Sequence, residues 1–353
     1  VYKRQFLACV KLGAVLLPLN HRLTPPELAV MIRDAEPGLL VFDPEFSPGV
    51  DALGDLGVRP SVLPLSALAE AVWEPLALRV DFVPDRPGAL DDLVMILYTS
   101  GTTGTPKGAM IDHRMLLWNS INTALRLDLT SRDHSLSFAP FFHTGGWNVL
   151  TLPLLHHGGT VVLAGKFDPA ATLDAVARHR VTELFAVPTM FQMMLDEPGF
   201  AAADLSSLRF FISGGAACPV PLIEAYQARD VVFKQGYGLT EVGPNCFVLH
   251  ERDAVRKAGS VGVPTLHLDT RLVDADGREV GPGEVGELQL RGPTVCAGYW
   301  RNDEATAAAR SADGWFATGD LLRCDEEGYH YVVGRLKELF ISGGENVYPA
   351  EIE

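Results

Sequence analysis

The sequence contains few cysteines, and these are spread along the chain. Five cysteines occur in 353 residues, odd in number and far apart, with no CxxC pair and no cluster of Cys and His. This spacing disfavours both a disulfide framework and a structural zinc site. It predicts a reducing compartment, which we interpret as the cytoplasm.

Basic side chains are also scarce. Lys and Arg number 29 against 44 Asp and Glu, which gives a formal net charge of −15. A chain with this charge has no basic field to hold a nucleic acid or an anionic membrane surface. A polyanionic ligand would therefore have to be held by a few local cations or by a metal ion.

No apolar run reaches the roughly 18 residues that a transmembrane segment requires. The nearest candidate, FLACVKLGAVLLPL, is interrupted by Lys11 and Gly13. We predict a short helix that ends at Gly13, followed by a strand from Ala14 to Leu19.

The hydrophobic pattern predicts an α/β fold. Through the first two thirds of the chain, apolar strand-like runs alternate with helical patterns, as in LLVFD after PPELAVMIRDAE. Such alternation is typical of layered parallel-sheet subdomains. From about Leu266 the pattern changes to short strands separated by turn pairs such as Asp276-Gly277. This predicts a small antiparallel β subdomain over about 266–334.

The most informative segment is LVMILYTSGTTGTPKG, residues 93–108. An apolar strand leads into a loop that contains three glycines, five Ser and Thr hydroxyls and Lys107. Glycines let backbone N–H groups approach a phosphate, hydroxyls donate to its oxygens, and lysine adds a positive charge. The segment is not a Walker P-loop, because Gly108 rather than Ser or Thr follows the lysine. We predict a phosphate-binding loop, the alternative being a flexible surface loop.

A second segment, KQGYGLTE, covers residues 234–241. Two glycines flank Tyr237, and Thr240 and Glu241 follow. A strand-end loop of this kind can offer an aromatic face to a base, a hydroxyl to a phosphate and a carboxylate to Mg²⁺. Taken alone, the segment is equally compatible with an ordinary turn and a core tyrosine.

Two further motifs place single charged residues after strands. GWFATGD puts Asp320 after an apolar strand, and VVGRLKELFISGGENVYPAEIE puts Arg335 and Lys337 after another. Asp320 could accept two hydrogen bonds from a ribose diol, and Arg335 could donate to the same sugar or to an α-phosphate. The alternative is a turn aspartate and a solvated arginine.

Four of these motifs occur in a fixed order: YTSGTTGTPKG, QGYGLTE, TGD and GRLKELFISGGENVYPAEIE. The ordered set resembles the signature of the acyl-adenylate-forming superfamily, which includes acyl-CoA synthetases, firefly-type luciferases and nonribosomal-peptide adenylation domains. The resemblance extends from KLGAVLLPLN to the last residue. It implies a large adenylation domain over residues 1–334, then a hinge and the beginning of a C-terminal domain over 335–353.

The resemblance also implies which residues contact ATP and Mg²⁺. The expected nucleotide-binding residues are Thr99, Ser100, Gly101, Thr102, Thr103, Gly104, Gly214, Gly215, Ala216, Gly236, Tyr237, Gly238, Asp320 and Arg335. The residues expected at the reacting groups are Lys107, His143, Thr240 and Glu241. Among these, Lys107 belongs to the loop over the β- and γ-phosphates, Thr240 contacts the α-phosphate, and Glu241 holds the metal ion. Lys337 matches the hinge position.

The implied reaction has two steps. A substrate carboxylate attacks the α-phosphorus of ATP and expels pyrophosphate, and a thiol then attacks the mixed anhydride and releases AMP. The attack of one anion on another requires electrostatic help, which Mg²⁺ and Lys107 can supply.

The substrate is expected to be a carboxylic acid without an α-amino group. Family members that activate amino acids carry an aspartate in a FDxSxxE-like segment, whereas the corresponding FAPFFHTGGWNVL, residues 138–150, contains His143 and no acid. An unpaired buried ammonium would be costly. PFFHTGG resembles acyl- and aryl-CoA ligases, so fatty and aryl acids both remain open. Trp147, Val187 and Met190 are candidates for the acyl pocket, or for plain core.

The acceptor is expected to be CoA, because SGGEN resembles the loop that lines the pantetheine channel, with Gly343 and Gly344 in that channel. The alternatives are an acyl-AMP ligase that loads a carrier protein and a nucleotide-binding fragment without turnover. Support for the last comes from the ends of the chain, which look cut, since the family's catalytic lysine lies in a C-terminal domain beyond Glu353. A homo-oligomer is also compatible with the sequence.

Overall fold

The computed structural model describes residues 2–67, 88–99, 106–216, 218–338, 340–342 and 345–347. The chain forms two compact units, Val1–His113 with Ala297–Asp303, and Arg114–Cys296 with Glu304–Glu353. Within the described ranges, no helix has both the length and the apolar character needed to cross a membrane.

The first unit begins with helix α1 (Tyr2–Leu12), which ends before Gly13, as predicted. Helix α2 (Pro25–Ala35) starts with two prolines, which the first turn of a helix tolerates because its N–H groups have no partner within the helix. Strand β1 (Leu39–Phe42), helix α3 (Ser47–Asp55) and strand β2 (Ser61–Pro64) follow, and the two strands pair in parallel.

The predicted strand from Ala14 to Leu19 is wrong. Only Leu16 pairs, through one bridge to Met95, with its N–H donating to the Val94 carbonyl at 2.9 Å. Proline has no backbone N–H to donate, so Pro18 cannot extend this ladder.

Strands β3 (Leu93–Thr99) and β4 (Lys107–Asp112) form an antiparallel hairpin in the first unit. The segment predicted as a phosphate loop therefore connects the two strands of an antiparallel hairpin. A distant segment adds to the other side of β4, where Ala109 forms an antiparallel bridge with Tyr299.

The second unit contains a seven-stranded sheet in the order β11-β10-β9-β8-β7-β5-β6, in which β6, β5, β7, β8 and β9 are parallel. The helices and strands that build this part are α4 (His113–Leu127), β5 (His134–Ser137), α5 (Thr151–His156), β6 (Thr160–Leu163), α6 (Pro169–His179), β7 (Glu183–Ala186), α7 (Pro188–Leu195), β8 (Phe210–Ser213), α8 (Val220–Gln227), β9 (Phe233–Leu239), β10 (Gly243–Val248) and β11 (Val263–Pro264). Its core includes a buried aromatic cluster of Phe191, Phe211, Tyr226 and Phe233.

A smaller antiparallel sheet follows in the same unit, in the order β12-β13-β14-β15. Its strands are β12 (Asp269–Val273), β13 (Val285–Arg291), β14 (Phe316–Cys324) and β15 (His330–Arg335); helix α9 (Asp303–Ala309) precedes β14, and the short hairpin β16 (Phe340–Ser342) and β17 (Glu345–Val347) follows β15. The predicted α/β class with a small antiparallel part is confirmed.

Glu183 on β7 gives the second unit a pH-dependent stability. Its side chain is 0% exposed, and burial raises its pKa from 4.5 to about 8. Thr182 Oγ donates to it at 2.5 Å, and the charged groups that act on it are Asp133, Arg209 and Lys234. The folded protein thus keeps a proton that the unfolded chain releases near pH 4.5.

We therefore expect the free energy of unfolding to fall as the pH rises from about 5 to about 8, because the folded state binds more protons in this window. Urea unfolding midpoints at a series of pH values measure this slope. Glu183→Gln should reduce the change of the midpoint with pH, and Glu224→Gln, at an exposed position on α8, should leave this change as in the wild type. Equal slopes in wild type and Glu183→Gln would contradict the assignment.

Candidate functional site

Three residues from the predicted nucleoside site meet in the second unit. The Tyr237 hydroxyl donates to Asp320 Oδ2 at 2.6 Å, and Arg335 Nε lies 3.1 Å from Asp320 Oδ1. Asp320 and Arg335 are register partners on β14 and β15, so the sheet itself holds them side by side. Each carboxylate oxygen has two lone pairs, so Asp320 can accept further hydrogen bonds from a ligand diol.

Burial and charge set the protonation of this cluster. Burial raises the pKa of the Asp320 carboxyl, while the Tyr237 hydroxyl and the Arg335 guanidinium oppose that rise. The pKa of Tyr237 is raised well above its usual value, first by burial and then by the neighbouring Asp320. The phenol therefore remains a hydrogen-bond donor over the whole physiological pH range.

The structure places two motifs differently from the sequence-based expectation. Asp320 lies within β14 and not after a strand, because pairing with β15 continues past it. Gly236, Tyr237 and Gly238 lie within β9, since β9 pairs with β10 on that side. All three residues that meet, Tyr237, Asp320 and Arg335, are thus held on strands.

A tight turn after β9 carries Thr240 and Glu241. A Cβ atom at Gly238 would lie 2.3 Å from the Gly243 carbonyl oxygen, so only glycine allows the two strands to approach this closely. The Glu241 backbone carbonyl accepts a hydrogen bond from the Cys296 N–H at 2.7 Å, which holds the turn in place. Glu241 is 9% exposed and Thr240 is half-buried.

The donor set at this turn is compatible with Mg²⁺. In the part of the chain that the structure describes, no group of three or more His, Cys, Asp or Glu side chains could hold a metal ion by itself. Mg²⁺ is commonly bound through one or two carboxylates together with substrate phosphates, so one carboxylate such as Glu241 fits this mode.

The predicted nucleotide-binding residues Gly214, Gly215 and Ala216 form a loop after β8, the neighbour of β9 in the sheet. Gly214 is half-buried, Gly215 and Ala216 are exposed, and Ala217 lies outside the described residues. Gln235, which the sequence reasoning missed, fixes the far end of this loop: its Oε1 accepts from the Cys218 N–H at 3.0 Å. The sequence signal that could have identified Gln235 is its position in KQGYGLTE, directly before Gly236.

His143 lies two residues before a single π-helical turn, Gly145–Val149. His143 is exposed, and its ring centroid lies 4.7 Å from that of Phe142. Trp147 is 0% exposed, and its indole N–H donates to the Phe141 carbonyl at 2.6 Å. Trp147 is therefore packed in the interior in this structure.

Phe185 on β7 is a pocket candidate that the sequence reasoning missed. It is half-buried, and Cβ atoms at Gly145 and Gly214 would lie 3.1 and 3.4 Å from its ring. Glycines therefore stand at two edges of this aromatic ring. Val187 and Met190, which follow β7, are half-buried. The sequence signal that could have identified Phe185 is its position two residues before Val187, a predicted pocket residue.

The remaining predicted residues lie apart from this cluster along the chain. Thr99 ends β3 and Lys107 begins β4, and the two are register partners in the first unit. Ser100, Gly101, Thr102, Thr103 and Gly104 lie outside the described residues, as do Gly343 and Gly344. Lys337 is exposed in the turn after β15.

Comparisons with known proteins identify relatives over nearly the whole chain. A feruloyl-CoA synthase of Amycolatopsis sp. is 45% identical over 352 residues, which cover 100% of this chain and 70% of the relative. An indoleacetate–CoA ligase of Aromatoleum aromaticum is 43% identical and covers 98% of this chain and 68% of its own. The crystal structure of ATP-bound MatB from Rhodopseudomonas palustris has a TM-score of 0.89 at 36% identity, covering 99% of this chain and 69% of that one.

These similarities confirm the resemblance on which the sequence analysis relied, and with it the AMP-forming carboxylic acid–CoA ligase class and the use of ATP and CoA. The family model described as "AMP-binding enzyme" matches residues 5–300. The chain therefore belongs to the family of AMP-binding enzymes.

Proposed function

We propose that this AMP-binding enzyme activates an aromatic carboxylic acid as its adenylate and transfers the acyl group to CoA. The observation that supports binding of the nucleotide is the contact of Tyr237 and Arg335 with the two carboxylate oxygens of Asp320. A carboxylate that is 5% exposed and held on both sides is suited to fix the ribose of ATP in one orientation.

The first step joins the substrate to AMP. A carboxylate oxygen of the acid forms a bond to the α-phosphorus, and the bond from that phosphorus to the bridging oxygen of pyrophosphate breaks. Thr240 donates a hydrogen bond to the α-phosphate, and Glu241 acts on the charge of the triphosphate. The family resemblance alone assigns Lys107 to the β- and γ-phosphates. Mg²⁺, held by Glu241 and the phosphates, would neutralise part of the charge that develops on the leaving group.

The second step transfers the acyl group. The CoA sulfur bonds to the acyl carbon, the bond to the AMP oxygen breaks, and the thiol proton passes to a base. The exposed imidazole of His143, beside the π-turn, is our candidate for contact with the acyl group and the thiol. The exposed position of Lys337 directly after β15 supports its assignment as the hinge. The CoA channel at Gly343 and Gly344 and a homo-oligomer stay predictions.

The aromatic substrate is supported by two independent features. Two relatives, at 45% and 43% identity, carry the names of a ferulate and an indoleacetate enzyme. In this chain, Phe185 packs against a buried hydrophobic cluster, and Gly145 and Gly214 lie at two edges of its ring. An aromatic ring beside glycines suits a flat aryl group through stacking or edge contacts, which aromatic pairs favour.

A substrate screen with ATP, Mg²⁺ and CoA tests this proposal by AMP release. We expect kcat/KM for ferulate or indoleacetate to exceed that for octanoate or palmitate by about tenfold or more. Phenylalanine should not react, because its ammonium would be buried without a partner. Faster turnover of the fatty acids would contradict the aromatic assignment, and turnover of amino acids alone would contradict the whole proposal.

Phe185→Leu tests the pocket directly. We expect it to lower kcat/KM for the aromatic acid by about tenfold, since it removes an aromatic contact, and to leave AMP binding unchanged. Phe46→Leu in the first unit is the matched control, because Phe46 is an equally half-buried ring there. The same loss in both variants would argue against a role for Phe185 in the pocket.

A further inference from the structure

The ammonium group of Lys107 lies against an aromatic ring within the first unit. Lys107 Nζ is 5.2 Å from the ring centroid of Tyr299. A lysine ammonium within about 6 Å of a ring centroid is attracted by the negative face of the ring. Lys107 is half-buried and is the first residue of β4, so its backbone is fixed while its side chain has four rotatable bonds.

Backbone hydrogen bonds hold Tyr299 beside the strand that carries Lys107. The Met110 N–H donates to the Gly298 carbonyl at 2.9 Å, and the Trp300 N–H donates to the Gly108 carbonyl at 2.8 Å. These bonds lie on both sides of Tyr299, which is itself 9% exposed. The ring therefore keeps its position relative to β4.

Side chains add a second anchor for the same segment. The indole N–H of Trp300 donates to the Asp34 carbonyl at 3.2 Å, near the end of α2. Arg301 Nη2 donates to Glu36 Oε2 at 2.7 Å. Tyr299 thus belongs to a segment that is attached to β4 on one side and to the end of α2 on the other.

We propose that Tyr299 is a positioning residue for Lys107 and holds its ammonium ready for the outer phosphates of ATP. The inference rests on the proposed function, in which Lys107 contacts the β- and γ-phosphates. An aromatic ring attracts the cation without neutralising it, so the full charge stays available to ATP. Restricting the lysine before ATP binds also reduces the conformational entropy that binding would otherwise cost.

Variants of Tyr299 test this role in the full chain. Tyr299→Leu removes the ring and should raise the Kd of Mg²⁺·ATP about three- to tenfold, while the Kd of AMP, which lacks the outer phosphates, stays unchanged. Tyr299→Phe keeps the ring and should bind both nucleotides like the wild type. An equal loss of AMP and ATP binding in Tyr299→Leu, or a loss in Tyr299→Phe equal to that in Tyr299→Leu, would overturn the inference.

A double-mutant cycle with Lys107→Ala separates this inference from the proposed function. In the Lys107→Ala background, Tyr299→Leu should cause no further loss of ATP binding, because the two residues act through one interaction. If Lys107→Ala weakens ATP binding and Tyr299→Leu adds its full effect, the positioning role is wrong while the proposed role of Lys107 stands. If Lys107→Ala leaves ATP binding unchanged, both are wrong.

A spectroscopic measurement needs no change at Tyr299 and therefore does not depend on whether that variant folds. Lysines carrying ¹³C-labelled methyl groups report ring currents by NMR, and Lys107→Arg assigns the signal. We expect an upfield shift of the Lys107 signal in the free protein. A signal at the position of solvated lysines would show that the ring does not hold the ammonium.

Discussion

Glu241→Gln is expected to lower the rate of pyrophosphate release by about a hundredfold or more, the size of effect that follows loss of a positioned electrostatic group in an active site. The substitution keeps the shape of the side chain in the turn after β9 and removes its charge. Since Glu241 is proposed to hold Mg²⁺ together with the phosphates of ATP, binding of ATP in the presence of Mg²⁺ should fall strongly. AMP binding without metal should change little.

Isothermal titration with ATP and AMP, each with and without Mg²⁺, measures this difference. Glu279→Gln, an exposed glutamate in the same unit, is the matched control and should behave like the wild type. Equal losses of ATP and AMP binding in Glu241→Gln would contradict the metal assignment. A loss of ATP binding without Mg²⁺ that is as large as the loss with Mg²⁺ would also contradict it.

Asp320→Ala is expected to weaken AMP and ATP binding alike, by about a hundredfold. The carboxylate accepts a hydrogen bond from Tyr237 and forms an ion pair with Arg335. Its proposed hydrogen bonds to the ribose involve a charged group, and such bonds contribute about 1.5–3 kcal/mol each. Its loss removes the contact with the ribose and leaves the buried Tyr237 hydroxyl without its acceptor. Asp320→Asn keeps one acceptor oxygen and should show a smaller loss.

Binding of both nucleotides and the thermal unfolding of the free protein should be measured together for these variants. Asp276→Asn, an exposed aspartate in the turn between β12 and β13, is the matched control and should leave both unchanged. A loss of affinity for ATP but not for AMP would contradict a ribose contact. AMP binding should thus fall in the Asp320 variant and stay nearly unchanged in the Glu241 variant, which distinguishes a nucleoside contact from a metal contact.

Much of the local structure follows from adjacent residues. Pro25 and Pro26 are compatible with the start of a helix, and α2 does begin at Pro25, where the Thr24 N–H donates to Glu27 Oε2 at 2.7 Å. The Asp276-Gly277 pair predicts a turn, and Gly277 has φ +78° between β12 and β13. Such features depend on backbone conformations and hydrogen bonds within a few residues, so the sequence specifies them directly.

The identity of the family also followed from the sequence. Residue types at fixed spacing, such as the glycines, hydroxyls and lysine of residues 99–108, carry the chemistry of phosphate binding wherever the chain places them. Their order along the chain was enough to identify an adenylate-forming enzyme, which the relatives confirm.

Strand pairing was decided only by the tertiary structure. The apolar run of β3 marks a strand, but nothing in its pattern shows that β4 lies beside it, or that Tyr299 lies on the other side of β4. Likewise, Asp320 was expected after a strand, although it lies within β14 and meets Tyr237, 83 residues earlier. Alternation of apolar residues identifies which face of a strand is buried, whereas its neighbours and register depend on packing across the whole sheet.

The sequence by itself therefore determined the start of α2, the turn at Asp276-Gly277 and the class of chemistry, and it predicted the residue types of the nucleotide site. The tertiary structure decided which of those residues share a contact, as Tyr237, Asp320 and Arg335 do, and that the ring of Tyr299 lies beside the ammonium of Lys107. The physical reason is the separation of the contacting residues along the chain. Caps and turns form within a few residues, while these contacts require segments that are far apart in the chain to pack together.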